Sequence, residues 1–278
     1  MRHRLPVPQV SCKEKYILET RQKLRILILT ALPQEYSPLK KLFPSWRLVR
    51  KRHTKKFAFK LPGKEVILIE CGMGAKSAQK ALGVELAGST PDLLIFFGFA
   101  GGLHPDLQTG VVCFAVSVRA MFSEEVFQFR VPDALSDFLV QNHIRPVLTL
   151  SAETSGDKQA LSALASGQTA VLDMETATVA EIARHNKIPF ICFRAVSDPI
   201  GHNLGFNLSD ISDERGKIRL TGVLFTVMRK PATLRAFYLS WRNSRLAARN
   251  LCGSVAAFLG IPAPLLGEIA GQIKIERQ

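Results

Sequence analysis

The sequence predicts a single α/β domain with a central mixed, largely parallel twisted sheet flanked by helices. Short apolar runs such as residues 24–31 and 93–97 alternate with amphipathic stretches, and unbroken apolar runs are typical of strands buried on both faces of a parallel sheet. Glycine, proline or acidic residues follow several of these runs. The length of 278 residues is near the upper end for one hydrophobic core.

The chain divides into three segments. Residues 1–22 are predicted to form a basic N-terminal extension, and residues 23–200 the α/β domain. Residues 201–278 are predicted to be a polar loop and basic amphipathic C-terminal helices that complete the domain, with a frayed tail after Pro262.

Individual elements follow from periodicity and turn residues. Strands are predicted at residues 24–31, 66–69, 93–97, 110–116, 146–150, 170–173 and 189–196, with a basic hairpin at 46–49 and 57–61. Helices are predicted from Pro33, from Ala75, at 131–142, at 157–165, from Glu175, and from Pro231 to Leu259.

The net charge of +14 is unevenly distributed. Residues 47–60 contain eight basic side chains and no acidic one, and residues 229–267 carry only positive charges. Such surfaces attract phosphates, nucleic acid or anionic lipid, although they are also compatible with ordinary solvated faces. Nucleic-acid binding is not expected, because the hairpin offers only Phe57 and Phe59 as interleaved aromatic residues.

Composition favours a cytoplasmic protein. The five cysteines are odd in number and widely spaced, which suits free thiols in a reducing compartment. Prolines and lysines occupy the place where a secretory signal would need its apolar stretch, and no window approaches the length of a membrane span. The six histidines show no metal-ligand spacing, and the glycines at 72 and 74 do not make a dinucleotide fingerprint, so neither metal nor cofactor is expected.

Carboxylates follow three of the predicted strands. Glu35 comes after the first, Glu175 after the strand at 170–173, and Asp198 after the strand at 189–196. Because reactive groups of an α/β sheet gather at the carboxyl ends of its strands, we expect these three side chains to lie close together.

Five motifs in this order resemble the superfamily of purine nucleoside phosphorylases and of methylthioadenosine and S-adenosylhomocysteine nucleosidases, over roughly residues 24–200. The motifs are Ala31-Leu32-Pro33-Gln34-Glu35, Cys71-Gly72-Met73-Gly74, Gly98-Phe99-Ala100-Gly101-Gly102-Leu103, Asp173-Met174-Glu175-Thr176-Ala177 and Arg194-Ala195-Val196-Ser197-Asp198.

The resemblance implies roles for the residues around the substrate. Asp198 would be the general acid that protonates purine N7, with Ser197 holding its carboxyl group. Glu175 would bind the ribose 2′-hydroxyl and stabilise an oxocarbenium-like transition state, and Met174 would pack against the sugar. Arg194 would orient Glu35 or the attacking water.

Glu35 matches the nucleosidase residue that positions and deprotonates water. Phosphorylases of the superfamily present a phosphate loop with glycine and arginine at that point, and residues 31–36 contain neither, which favours hydrolysis over phosphorolysis. The substrate pocket would be completed by Cys71, Gly72, Gly98, Phe99 and Ala100. Cys71 and Phe99 stand where hydroxyl residues are expected in relatives, so the pocket would be more apolar.

Other interpretations remain open. Glu35 and Glu175 each lie at the first turn of a predicted helix, where the helix dipole alone favours a carboxylate. Asp198 precedes Pro199 and would also suit a turn. The alternatives to a nucleosidase are a phosphate-dependent phosphorylase and a catalytically inactive nucleotide-binding protein.

About 80 residues follow Asp198. This extension, a polar loop followed by a basic helix, resembles that of the hopanoid-associated branch, which is thought to remove adenine from adenosylhopane. A helix with Leu234, Phe237, Tyr238 and Trp241 among arginines suits peripheral contact with an anionic membrane at its inner face, or else packs on the sheet. The resemblance also implies a homodimer.

Overall fold

The structure is a computed structural model that describes residues 23–43, 45–50, 54–121, 123–152, 158–200 and 233–278, with the backbone alone for residues 233–237. The strands are β1 (Leu24–Thr30), β2 (Arg47–Arg50), β3 (Lys55–Leu61), β4 (Lys64–Glu70), β5 (Leu93–Gly102), β6 (Val112–Ala120), β7 (Val126–Arg130), β8 (Arg145–Ser151), β9 (Ala170–Asp173), β10 (Phe190–Asp198) and β11 (Lys274–Arg277). The helices are α1 (Pro33–Leu42), α2 (Ala75–Leu86), α3 (Asp133–Gln141), α4 (Lys158–Ala163), α5 (Thr176–His185), α6 (Thr233–Gly260) and α7 (Ala263–Gln272).

The strands form one mixed sheet, which confirms the predicted α/β class. Its order is β11-β7-β6-β8-β9-β5-β1-β4-β3-β2, with β10 paired to both β5 and β6. Parallel pairs join β4, β1, β5 and β10, and a second parallel block contains β6, β8 and β9. Antiparallel pairs of β10 with β6 and of β5 with β9 close these blocks into a ring.

The centre of the sheet is apolar on both faces. Residues 93–97 of β5 are fully buried, as the unbroken apolar run predicts. Because β1, β5 and β10 run parallel and side by side, their carboxyl ends meet at one edge. The turn into α1, the end of β5 and the end of β10 therefore lie next to one another, which brings together three of the five motifs identified in the sequence.

Helix α6 covers one face of this sheet. Its buried side packs in the same cluster as β5, β10 and α1, and consists of Ala247, Leu251, Cys252, Val255, Phe258 and Leu259. The buried Lys64 ammonium donates to the carbonyl oxygens of Leu259 (2.9 Å) and Ile261 (2.5 Å), which satisfies the C-terminal end of the helix.

The prediction of a frayed tail after Pro262 was wrong. Helix α7 buries Leu266, Ile269 and Ala270, and β11 pairs antiparallel with β7, a strand that the sequence reading missed. The apolar side chains of this tail complete the core beside α6, so the tail is ordered by tertiary contacts. The predicted N-terminal extension and the loop at 201–220 lie outside the described residues.

The basic hairpin is partly neutralised. Lys55 pairs with Glu70 at 2.7 Å and Lys56 with Glu85, both carboxylates lying outside the basic segment. Within the described residues, no single helix combines the length and apolarity of a membrane span; residues 238–260 and 263–272 pass such a test only together and are bent by 103° at their junction.

Candidate active site

Glu35 is buried at the edge where β1 meets α1. Its Oε2 accepts hydrogen bonds from the Thr30 hydroxyl (2.7 Å) and from the backbone N–H groups of Ala31 (2.9 Å) and Leu32 (2.8 Å). Its Oε1 accepts one bond, from the Phe99 N–H at 2.9 Å. The carboxylate is therefore fixed from two strands, and Oε1 retains acceptor capacity for a further ligand such as water.

Stabilisation of the helix end explains only part of this geometry. The bonds from Ala31 and Leu32 are those of a residue in the first turn of α1, as the helix-dipole interpretation expects. The bond from Phe99 comes from β5, 64 residues away in the chain. Burial raises the pKa of Glu35, and the bonds from Phe99, Leu32 and Thr30 and the charge of Arg194 oppose that rise. A carboxylate whose pKa is raised is a stronger base.

Gly98 allows Glu35 to approach Arg194. A methyl group at this position would lie 2.5 Å from Arg194 Nη1 and 2.7 Å from Glu35 Oε1. Both functional groups consequently face the same point of β5, and a larger residue there would displace them.

Arg194 is fully buried on β10. Its guanidinium forms an ion pair with Asp173, donates to the Thr176 hydroxyl at 2.6 Å and lies 4.0 Å from the centre of the Phe96 ring. Burial alone lowers the pKa of Arg194, but Asp173, Cys192, Glu175 and Glu35 raise it by more. The group is a permanent cation, held where its charge reaches Glu35.

Glu175 occupies the N-cap position of α5. Its Oε1 accepts the Gly74 N–H at 2.6 Å, so the side chain turns away from its own helix towards the turn before α2. Burial, followed by the charge of Asp173, raises the pKa of Glu175 to about 7. Among the described residues, Glu35, Glu175 and Asp173 lie around the Arg194 cation, and with Glu175 ionised, above about pH 7, these carboxylates would stabilise a developing oxocarbenium charge.

Asp198 lies at the end of β10, beside Gly101 of β5. Its Oδ1 accepts the Ser197 hydroxyl at 2.6 Å, the arrangement that the sequence analysis expected of Ser197. Its Oδ2 contacts the ammonium of Lys158, which also donates to the Asp198 carbonyl oxygen at 2.6 Å. The side chain of Asp198 is 23% exposed, in contrast to the enclosed Glu35.

The remaining predicted pocket residues lie around these groups. The Cys71 thiol donates to the carbonyl oxygens of Thr30 and Gly72, so it is engaged with backbone, and burial raises its pKa well above the ordinary value. Phe99 packs against the core under α6, Ala100 is buried, and Met174 is half-buried next to Glu175. Their contacts with substrate stay predictions.

Three polar residues were missed by sequence reasoning. Asp173 accepts the Ser151 hydroxyl at 2.6 Å and holds Arg194, and Lys158 pairs with Asp198. Asp173 stood in a recognised motif without an assigned role. Lys158 and Ser151 had no local signal, because their partners lie 40 and 22 residues away in the chain.

Comparison with known proteins gives the family. The sequence profile described as "Phosphorylase superfamily" matches residues 25–229, which is most of the chain and contains all the motifs above. The protein belongs to the phosphorylase superfamily. The matched residues include the three carboxylates and Arg194.

Superfamily members with related sequences include nucleosidases. The 5′-methylthioadenosine/S-adenosylhomocysteine nucleosidase of Haemophilus ducreyi is 26% identical over 200 residues, which cover 63% of this chain and 85% of that protein. The enzyme of the same name from Bacillus subtilis is 25% identical over 203 residues, covering 64% and 87%.

Solved structures share the fold. The Campylobacter jejuni 5′-methylthioadenosine/S-adenosyl homocysteine nucleosidase matches with a TM-score of 0.60 at 15% identity, over 84% of this chain and 99% of that chain. A futalosine hydrolase mutant of Helicobacter pylori matches with a TM-score of 0.57 at 15% identity, over the same shares of the two chains. These structures confirm the predicted nucleoside phosphorylase-like fold.

The buried negative charge of Glu175 is expected to lower the free energy of unfolding by a measurable amount. Because its pKa is raised from 4.5 to about 7, the native state binds more protons than the unfolded state between these values, and stability falls as pH rises through this window. Glu175→Gln removes the titration and keeps an oxygen for the Gly74 N–H. We expect the variant to be more stable than wild type at pH 8, by at most about 3 kcal/mol, and of similar stability near pH 4.5.

Urea unfolding of wild type and variant at pH 5 and pH 8 measures this difference. Glu65→Gln, at an exposed position of β4, is the matched control and should show no such pH-dependent gain. A Glu175→Gln variant that is less stable than wild type at pH 8 would show that the carboxylate is stabilising.

Proposed function

We propose that the protein is a nucleosidase that hydrolyses the N-glycosidic bond of a 5′-modified purine nucleoside. The observation that carries the proposal is the placement of Glu35 and Asp198 beside two points of β5, Gly98 and Gly101, three residues apart or roughly 10 Å of strand. The Glu35 carboxyl group can therefore bind water at the anomeric carbon while the Asp198 carboxyl group hydrogen-bonds to the base.

The proposed reaction uses one water molecule and the side chains of Glu35, Asp198 and Glu175. Water held on Glu35 Oε1 attacks the anomeric carbon and gives its proton to Glu35, while the electron pair of the glycosidic bond moves to the purine and Asp198 protonates N7. Glu175 accepts the 2′-hydroxyl, and the surplus of buried carboxylates favours the positive charge of the sugar in the transition state.

The charge around Glu35 favours water over phosphate as nucleophile. Among the described residues, the cation whose charge acts on Glu35 is Arg194, and that guanidinium is already paired with Asp173 and covered by Phe96. A phosphate ion next to Glu35 and Glu175 would meet buried carboxyl groups, and the described residues around Glu35 supply no unpaired cation to offset them. Phosphorolysis would need basic residues from elsewhere.

Base release from adenosine and methylthioadenosine, each with and without phosphate, tests this proposal. Phosphate-independent release of base and free sugar is expected. Activity that requires phosphate would make the enzyme a phosphorylase. No release from either nucleoside, nor from an adenosine with a long 5′-alkyl substituent, would favour an inactive nucleotide-binding protein.

For the substrate, we propose adenine as a base and a lipid as the 5′-substituent, as in adenosylhopane. The relatives named for methylthioadenosine support adenine. The start of α6 supports the lipid: Tyr238 and Trp241 are 59% and 55% exposed, and Arg245 lies 4.6 Å from the Trp241 ring. The buried half of α6 packs on the core while Arg242 and Arg249 stay exposed, so this helix would dock on an anionic surface without inserting.

Cosedimentation with phosphatidylglycerol vesicles, against phosphatidylcholine vesicles as control, tests the lipid proposal. Binding that weakens with salt and with Trp241→Ala is expected; no binding at any salt concentration would contradict it. A homodimer is also proposed from the family resemblance, and light scattering that shows a monomer at micromolar concentration would contradict it.

A further inference from the structure

The Lys158 ammonium is a hydrogen-bond donor next to Asp198, the residue proposed to contact the purine base. Lys158 is the first residue of α4, and its ammonium reaches across to the end of β10, where it contacts Asp198 Oδ2 and donates to the carbonyl oxygens of Asp198 (2.6 Å) and Pro199 (3.4 Å). Its side chain is 15% exposed and that of Asp198 is 23% exposed, so both charged groups of this pair are partly accessible.

Gly101 makes room for this pair. A methyl group at Gly101 would lie 3.0 Å from Lys158 Cε and 3.3 Å from Asp198 Oδ2. The absence of a side chain at Gly101 therefore lets Lys158 and Asp198 pack together against the backbone of β5. This mirrors Gly98, which makes room for Glu35 and Arg194 at the other end of the site.

The purine edge proposed to hydrogen-bond to Asp198 carries two hydrogen-bonding groups, N7 and the substituent at position 6. N7 is an acceptor in all purines, whereas position 6 is a donor amino group in adenine and an acceptor oxygen in hypoxanthine and guanine. A protonated carboxyl group offers one donor and one acceptor, which matches adenine by itself. An ammonium offers donors only, which matches the oxygen of a 6-oxopurine and not the amino group of adenine.

We propose that Lys158 determines base specificity by admitting 6-oxopurines in addition to adenine. This inference rests on the proposed function. The O6 atom of such a base would draw the ammonium away from Asp198 Oδ2, leaving the carboxyl group able to carry the proton that N7 requires. With adenine, the amino group offers no acceptor to the ammonium, so Lys158 competes for the carboxyl oxygen that the amino group needs; this would slow adenine release relative to release of a 6-oxopurine without abolishing it.

The test compares kcat/KM for inosine and adenosine in wild type, Lys158→Met and Lys80→Met. Lys80 is an exposed lysine on α2 and serves as the matched control. We expect Lys158→Met to lower the inosine-to-adenosine ratio at least tenfold and Lys80→Met to leave it unchanged. Because the readout is a ratio within one variant, a general loss of activity or stability does not produce it.

An unchanged ratio in Lys158→Met overturns the inference. If wild type releases neither base from these unmodified nucleosides, calorimetric binding of free hypoxanthine and free adenine to the same variants decides the specificity separately from the proposed hydrolysis. Selective loss of hypoxanthine binding in Lys158→Met would support the role of Lys158, and equal affinities in wild type and variant would overturn it.

Discussion

Glu35→Gln is expected to reduce kcat for nucleoside hydrolysis by roughly 10²–10⁴-fold, the usual contribution of a general base. The amide keeps the size of the side chain and loses the ability to take the proton of water. Because the carboxylate accepts N–H bonds at both oxygens, the amide NH₂ must face either Phe99 N–H or the N–H groups of Ala31 and Leu32. A stability loss of about 1–3 kcal/mol accompanies this mismatch.

Rapid-quench measurement of kcat well below the unfolding temperature separates the two effects. Glu65→Gln, exposed on β4, should keep wild-type kcat. Wild-type activity should also fall as pH decreases through the raised pKa of Glu35, because the base must be ionised to act. Retention of kcat in Glu35→Gln would remove this residue from the reaction.

Asp198→Asn is expected to lower kcat for purine nucleosides by a similar factor of roughly 10²–10⁴, because N7 loses its proton donor. The amide fits the observed contacts: its oxygen can accept from Lys158 and its NH₂ can donate to the Ser197 hydroxyl oxygen. The variant should therefore fold as well as wild type. Loss of activity would reflect proton transfer and not structural damage.

A leaving group that needs no proton distinguishes Asp198 from Glu35. Nitrophenyl riboside expels a stable phenolate, so Asp198→Asn should still hydrolyse it while Glu35→Gln should not. Asp137→Asn, exposed on α3, is the control for the substitution itself. Equal losses of Asp198→Asn on the purine nucleoside and on the nitrophenyl riboside would contradict a role for Asp198 as general acid.

Local patterns predicted much of the site. Glu35, Glu175 and Asp198 were recognised because each directly follows a short apolar strand, and parallel strands end at the same edge of a sheet. The parallel pairing of β1, β5 and β10 agrees with this reasoning for Glu35 and Asp198, whereas β9, which precedes Glu175, runs antiparallel to β5 and does not follow it. The positions of these carboxyl groups in the sequence follow from hydrophobic periodicity and from the residues after each strand, and both signals span only a few neighbouring residues.

The C-terminal tail shows where local patterns were insufficient. The predicted end of the long helix at Leu259 agrees with the end of α6 at Gly260, yet the ten residues of α7 and the four of β11 are too short to carry a clear periodic signal. Strand β7, the partner of β11, is five residues long and was missed for the same reason. Each of these elements is stabilised by partners distant in sequence.

The sequence by itself determined most of the strands, the turn of Glu35 and the order of the motifs, because backbone propensity and hydrophobic periodicity act between neighbouring residues. Only the tertiary structure decided that Arg194 forms an ion pair with Asp173, that the Phe99 N–H donates a hydrogen bond to Glu35 and that the Lys158 ammonium contacts Asp198. Each of these contacts joins residues 21 to 64 positions apart, so it exists only once sheet register and helix packing have brought the segments together.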